Sequence, residues 1–130
     1  MTLREPSGQS SAPVIRAMMM PKDTNYHGTI FGGIILSLID QAAGTVAAMR
    51  AHKGVVTLKM DEVIFRNPVL VGDLVSVYAT VVKVGRTSLT VQSEVYAHRR
   101  DTETPVHVTS ASLIFVAVGE DRRPVPIEGG

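Results

Sequence analysis

Asp40 follows an apolar run, Ile34-Ile35-Leu36-Ser37-Leu38-Ile39, and that run opens on Gly32-Gly33. Before the glycines comes a polar loop, Asp23-Thr24-Asn25-Tyr26-His27-Gly28-Thr29. A helix that starts on two glycines presents backbone N–H groups with no intrahelical acceptor and nothing bulky over them. Those amides, aided by the helix dipole, suit the oxygen of a carbonyl as negative charge develops on it. A carboxylate inside an apolar helix needs a reason, because burying one without partners is costly. Asp40 could act as general base toward water, or attack a carbonyl carbon directly to form an anhydride. Asn25 has both a donor and an acceptor and could orient the water or the carboxylate. Gly32, Gly33, Asp40 and Asn25 are therefore the candidate catalytic set, and the substrate class is one that carries a carbonyl.

The spacing adds a constraint. At about 1.5 Å per residue, Gly32 and Asp40 stand roughly 12 Å apart along a helix. One carbonyl carbon does not reach both. Two copies of the helix, antiparallel across a two-fold axis, would bring Asp40 of one chain near Gly32 of the other, so the spacing predicts a composite site in a homodimer.

Plainer roles compete for the same residues. Asp40 could be a structural ion-pair partner, and Asn25 a turn residue or cap. His27 reads as a loop-surface histidine, and His52, the nearest other one, is too far along the chain to form a metal-ligand spacing. Ser37, Ser88 and Ser110 sit in no Gly-x-Ser-x-Gly elbow and show no histidine partner in the sequence, which argues against a serine nucleophile. Met18-Met19-Met20 reads as strand and core.

The elements that must carry these residues follow from periodicity. Val14 to Met20 reads as a short strand stopped by Pro21. Gly32 to Ala51 is rich in Leu, Ile, Ala, Gln and Met and is too long for a strand, so it reads as a helix. Its polarity is low on almost every side, which predicts a helix enclosed by other structure, and Ser37, Asp40, Gly44 and Ala47 form a stripe of small residues on it. Four strands follow, over Val55–Phe65, Asp73–Lys83, Thr87–Tyr96 and Val106–Val118, each rich in Val, Thr, Ile or Tyr. Arg66-Asn67-Pro68, Val71-Gly72-Asp73 and Val84-Gly85-Arg86 mark turns. Short connections between successive strands imply an antiparallel sheet, and one helix against it makes an α+β layer. Residues 13–120 read as a single domain, with tails at 1–12 and 121–130.

Composition narrows the partners. The 130 residues carry a net charge of +1, with Arg99-Arg100 and Arg122-Arg123 as the only Lys/Arg doublets beside few aromatics, so no nucleic-acid surface is expected. There is no cysteine, which excludes disulfides and a thiol nucleophile and is compatible with a reducing cytoplasm. The polar first residues lack a signal-peptide core, and the run Ile34–Ile39 is far shorter than a membrane span, so a soluble, cytoplasmic protein is expected, with no membrane partner.

Asp23-Thr24-Asn25-x-x-Gly28-x-x-x-Gly32-Gly33, then Asp40, then Arg66-Asn67-Pro68-Val69-x-Val71-Gly72-Asp73 resembles the hotdog-fold acyl-CoA thioesterases. The likeness is to the bacterial broad-specificity group and brain-type acyl-CoA hydrolase, over roughly Met19 to Pro126. It implies a hotdog fold, about five antiparallel strands wrapped around one central helix, and hydrolysis of acyl-CoA to acid and coenzyme A without a cofactor or metal. It implies Asp40 as the catalytic carboxylate, Asn25 as its polar partner and Gly32 or Gly33 as oxyanion donor. It also implies a hexamer built as a trimer of dimers. Many relatives carry His or Asn where this chain has Phe31 and Thr29. For coenzyme A phosphates, Arg86 with Thr87 and Ser88 in the turn after Gly85, and Arg99 with Arg100, are the candidates. Two other functions compete. A hotdog hydratase or dehydratase would have a His in or near the helix, and this helix has none. A non-catalytic acyl-CoA-binding module would lack the carboxylate.

Overall fold

The computed structural model describes residues 12–127. Its elements are β1 (Ile15–Met18), α1 (Gly32–Ala51), β2 (Gly54–Asp61), β3 (Leu74–Val84), β4 (Ser88–His98) and β5 (Val106–Val118), with a 3-10 turn over Pro21–Asp23. All strand pairs are antiparallel, and the order across the sheet is β1-β3-β4-β5-β2. One long helix lies across a five-stranded sheet. This is the expected hotdog architecture.

Helix α1 ends where periodicity places its end. His52 takes a left-handed conformation (φ 56°) and its N–H closes on the Ala48 carbonyl at 2.8 Å. This is the usual way a helix stops and its last carbonyls are satisfied. The buried residues Ile35, Ile39, Ala42, Ala43, Ala47 and Ala51 share one face and pack on the alternating inward residues of the sheet. Phe115 of β5 fills the shallow place over Gly44, where an added Cβ would stand 3.5 Å from its ring. Burying such a ring contributes about 1.5–3 kcal/mol.

The helix is not enclosed on all sides, as its composition suggested. Ser37, Gln41, Thr45 and Met49 are exposed, because the sheet covers only one face of it within a single chain. By length and hydropathy α1 is also apolar enough to cross a membrane. Its buried face is nonetheless the core of this domain, and Asp40 sits at its middle.

Three further expectations are corrected. Strand β2 ends at Asp61 rather than Phe65: Glu62 adopts φ 48°, which breaks the extended backbone, and the chain leaves the sheet until Leu74. In the methionine run only Met19 is buried, since Met18 and Met20 point to the other side of the backbone. Residues 121–127 are not a loose tail. Ile127 is buried, its N–H bonds to the Arg86 carbonyl at 2.9 Å, and Lys53 Nζ donates to the Pro126 and Ile127 carbonyls. Apolar Val125 and Ile127 drive this docking. Of the expected N-terminal tail, residues 1–11 lie outside the described residues.

Candidate active site

The loop before α1 is a small hairpin tied at every level. Thr24 and Ile30 form an isolated bridge, Asn25 N–H donates to the Thr29 carbonyl at 2.8 Å, and Phe31 N–H donates to the Asp23 carbonyl at 2.8 Å. Gly28 turns the tip at φ 89°, a conformation glycine adopts without penalty. Inside the hairpin, Asn25 Oδ1 accepts from the N–H groups of His27 (2.9 Å) and Thr29 (3.3 Å), while Asn25 Nδ2 donates to Thr29 Oγ1 at 3.1 Å. Thr29 thus serves the loop's own hydrogen bonding, and Asn25 is the organiser of the turn. His27 is exposed and stacks loosely on Tyr26, ring centroids 4.0 Å apart.

The base of this hairpin is Asp23, which is buried. The Met20 N–H donates to Asp23 Oδ2 at 3.0 Å and the Lys22 ammonium lies 3.0 Å from Oδ1. The Met20 hydrogen bond first, and then Lys22, hold the carboxyl below its ordinary value of 3.8. A depressed carboxyl pKa stabilises the fold fully above the unfolded-state value, and that stabilisation is lost as pH falls through the folded-state value. Asp23→Asn should therefore lower the melting temperature at neutral pH, and the gap to wild type should close as the buffer is taken below about pH 4. A gap that stays constant down to acid pH would show that Asp23 ionisation does not hold the loop.

Helix α1 starts without a side-chain cap. The Gly32 and Gly33 amides have no hydrogen-bond acceptor among the described residues. The Phe31 ring lies over Gly33, where a Cβ would fall 2.5 Å from Phe31 Cε2, and the Phe65 ring stands 3.6 Å from a Cβ on Gly32. Only at Gly33 would a side chain force the exposed Phe31 ring to move; at Gly32 a Cβ would make ordinary contact with Phe65. Beside Gly32 opens a cavity of about 370 Å³, lined by Thr29, Ile30, Ile35, Phe65, Arg66 and Val69 among others. Its outer wall, residues 64–69, hangs on β5: Arg66 N–H bonds to the Val108 carbonyl, Asn67 Nδ2 to the His107 carbonyl and Thr109 Oγ1 to the Ile64 carbonyl. Ile30 N–H bonds to the Val69 carbonyl at 2.8 Å and closes the inner side.

Asp40 is not in that cavity. It is half-buried farther along α1, and Thr57 Oγ1 of β2 donates to its Oδ1 at 2.7 Å. Thr57 was missed by sequence reasoning. It pairs with Phe115, and Leu58 is the extra residue of a bulge before Lys59 pairs with Ile114. Bulges re-aim side chains. The available signal was a hydroxyl in phase with Val55, on the side of β2 that faces the helix.

Within one chain the phosphate candidates do not come together. Arg86, Thr87 and Ser88 form the β3–β4 turn, held to β5 at Ala117 by the Thr87 carbonyl at 2.8 Å. The cavity wall hangs on Val108, nine residues earlier on the same strand and so about 30 Å away. Arg99 is at the cavity end of the sheet but is already engaged. Its Nε lies 3.1 Å from Asp73 Oδ2 and its Nη2 donates to the Pro68 carbonyl. Asp73 is buried and also accepts from the Leu70 N–H, so this pair staples the Pro68–Asp73 turn.

Ser110 does have a histidine partner, contrary to expectation: His107 Nε2 is 3.1 Å from its hydroxyl. The same nitrogen is 3.0 Å from Glu94 Oε1, and the Ser110 hydroxyl donates to that oxygen too. A relay needs the acid and the serine on opposite ring nitrogens, so this cluster is no serine triad.

A helix across a curled antiparallel sheet, with open amides at the helix start and a carboxylate on the helix, defines a hotdog enzyme of thioester chemistry. Residues 27–104 match the thioesterase superfamily. The chain belongs to that family. It is 43% identical over 123 residues to an uncharacterized acyl-CoA thioester hydrolase of Zymomonas mobilis, covering 95% of this chain and 83% of that one. Acyl-CoA thioester hydrolase YciA of Salmonella typhimurium is 40% identical, over 89% of this chain and 91% of its own. A hexameric hotdog fold thioesterase of Campylobacter jejuni superposes with a TM-score of 0.86 at 43% identity, covering 91% of both chains.

Proposed function

We propose that the protein hydrolyses acyl-CoA thioesters to the free acid and coenzyme A. The observation that carries this reading is the open pair of amides at Gly32 and Gly33 beside a mainly apolar cavity. There the thioester oxygen would meet the amides, and the cavity would hold the uncharged part of the substrate next to them. Asp40, oriented by Thr57, is the base or nucleophile. The kinship with named acyl-CoA thioester hydrolases supports this over a hydratase or a binding module. Thiol release from a panel of acyl-CoAs, followed with a thiol-trapping dye, tests it. Hydrolysis no faster than in buffer would overturn it.

The active unit is a homodimer. Within one chain Asp40 and the Gly32 cavity are separate, as the spacing along the helix requires. Among the described residues strand β2 is a sheet edge, pairing only with β5, and it exposes Val56 and Leu58. An apolar edge next to Thr57 and Asp40 calls for a second chain. Three such dimers would make a hexamer, and the Campylobacter relative is hexameric. Cysteine-free composition accords with a cytoplasmic site of action. Mixing Asp40→Ala chains with Asn25→Ala chains should restore about a quarter of wild-type activity, since half of random dimers are mixed and each has one intact site. Mixed samples as inactive as the parents would rule out the shared site.

A further inference from the structure

Arg66 was read from the sequence only as part of a turn, and the structure gives it a more specific place. It is the one residue with a formal charge in the lining of the cavity beside Gly32. It also lines a second cavity of about 220 Å³, on the outer side of the sheet, with Asp61, Glu62, Gln92, Ser110 and Ser112. Arg66 therefore stands on the ridge between the two spaces, at the outer mouth of the first. Its backbone is fixed by the hydrogen bond to Val108, at 2.8 Å. Its side chain forms no hydrogen bond or ion pair among the described residues.

The neighbouring charges do not claim it. Asp61 is paired with Lys59 at 3.3 Å. Arg99, at the same end of the sheet, is committed to Asp73 and Pro68, and Arg86 lies at the far end. We infer that Arg66 is the cation that receives a phosphate of coenzyme A as the substrate leaves the Gly32 cavity. The inference rests on the acyl-CoA reading above. The uncharged pantetheine arm suits a lining of Thr29, Asn67 and apolar side chains, and a guanidinium fork suits the phosphate that follows it.

The test compares wild type, Arg66→Ala and Arg66→Lys on one acyl group carried by coenzyme A, by 3′-dephospho-coenzyme A and by pantetheine. The ratio of kcat/KM for acyl-CoA over acyl-pantetheine should fall about tenfold or more in Arg66→Ala, chiefly through KM, with partial recovery in Arg66→Lys. A fall that persists with the 3′-dephospho substrate assigns Arg66 to the pyrophosphate; one that vanishes assigns it to the 3′-phosphate. Calorimetric titration with coenzyme A itself, which requires no turnover, should show the same weakening. An unchanged ratio, or equal losses on pantetheine and coenzyme A substrates, overturns the inference. Wild type that cleaves none of the three substrates, yet binds coenzyme A through Arg66, would instead sink the hydrolase reading alone.

Discussion

Asp40→Asn should lower kcat for acyl-CoA hydrolysis by about 10²–10⁴-fold, the usual worth of a positioned general base. The melting temperature should stay close to wild type. Asn keeps the size of the side chain and an oxygen for the Thr57 hydroxyl, and the position is only half-buried. Because the amide can neither take a proton nor attack a carbonyl, the loss should appear in kcat, with KM little changed. Thr57→Val should give a smaller kcat defect of about tenfold, since it removes orientation and leaves the carboxylate. Activity in Asp40→Asn above a tenth of wild type would mean that another group does the chemistry, because no second carboxylate is placed on the helix.

Arg99→Ala should be the most destabilising change in the region, by about 2–4 kcal/mol. It leaves the Asp73 carboxylate, whose side chain is 5% exposed, without its cation. For a chain of this size that is a fall of about 6–15 °C in melting temperature. Lysine should rescue only part of it, since one ammonium does not reproduce the fork onto Asp73 and the Pro68 carbonyl. The measurement separates two readings of the residue. As a phosphate ligand, Arg99 would change KM and leave the melting temperature alone. As the staple of the turn that ends the cavity wall, it must change stability first. A shift of less than about 2 °C would refute the staple.

Arg99 also shows why part of the site was hidden. It stands on a strand end, 26 positions from Asp73, and no local pattern links them. In sequence it is indistinguishable from Arg66, yet one is bound and the other open. The assignment of both follows from where the Pro68–Asp73 turn folds back. Thr57 was hidden for a related reason: its partner is on another element, and the bulge at Leu58 leaves no mark in the alternation. Ser110 and His107 are near neighbours in sequence. Their contact was still missed, because Val108, the extra residue of a bulge in β5 opposite Val95 and Tyr96, shifts the alternation between them.

What was legible is what short-range physics dictates. Helix formers between a Gly-Gly start and a polar stop set α1 at Gly32–Ala51, and two-residue alternation set β5 at Val106–Val118. The rise of the helix separates Gly32 from Asp40, so the proposal of a site shared with a second chain is written in one dimension. The tertiary structure alone decided that, of the two arginines at the cavity end, Arg99 is bound while Arg66 has no side-chain partner among the described residues, which hydroxyl meets Asp40, and that residues 121–127 pack rather than trail. Those outcomes depend on which distant groups share a neighbourhood. Such contacts are set by sheet order, bulges and turn closure, and the residues on either side carry no periodic trace of them.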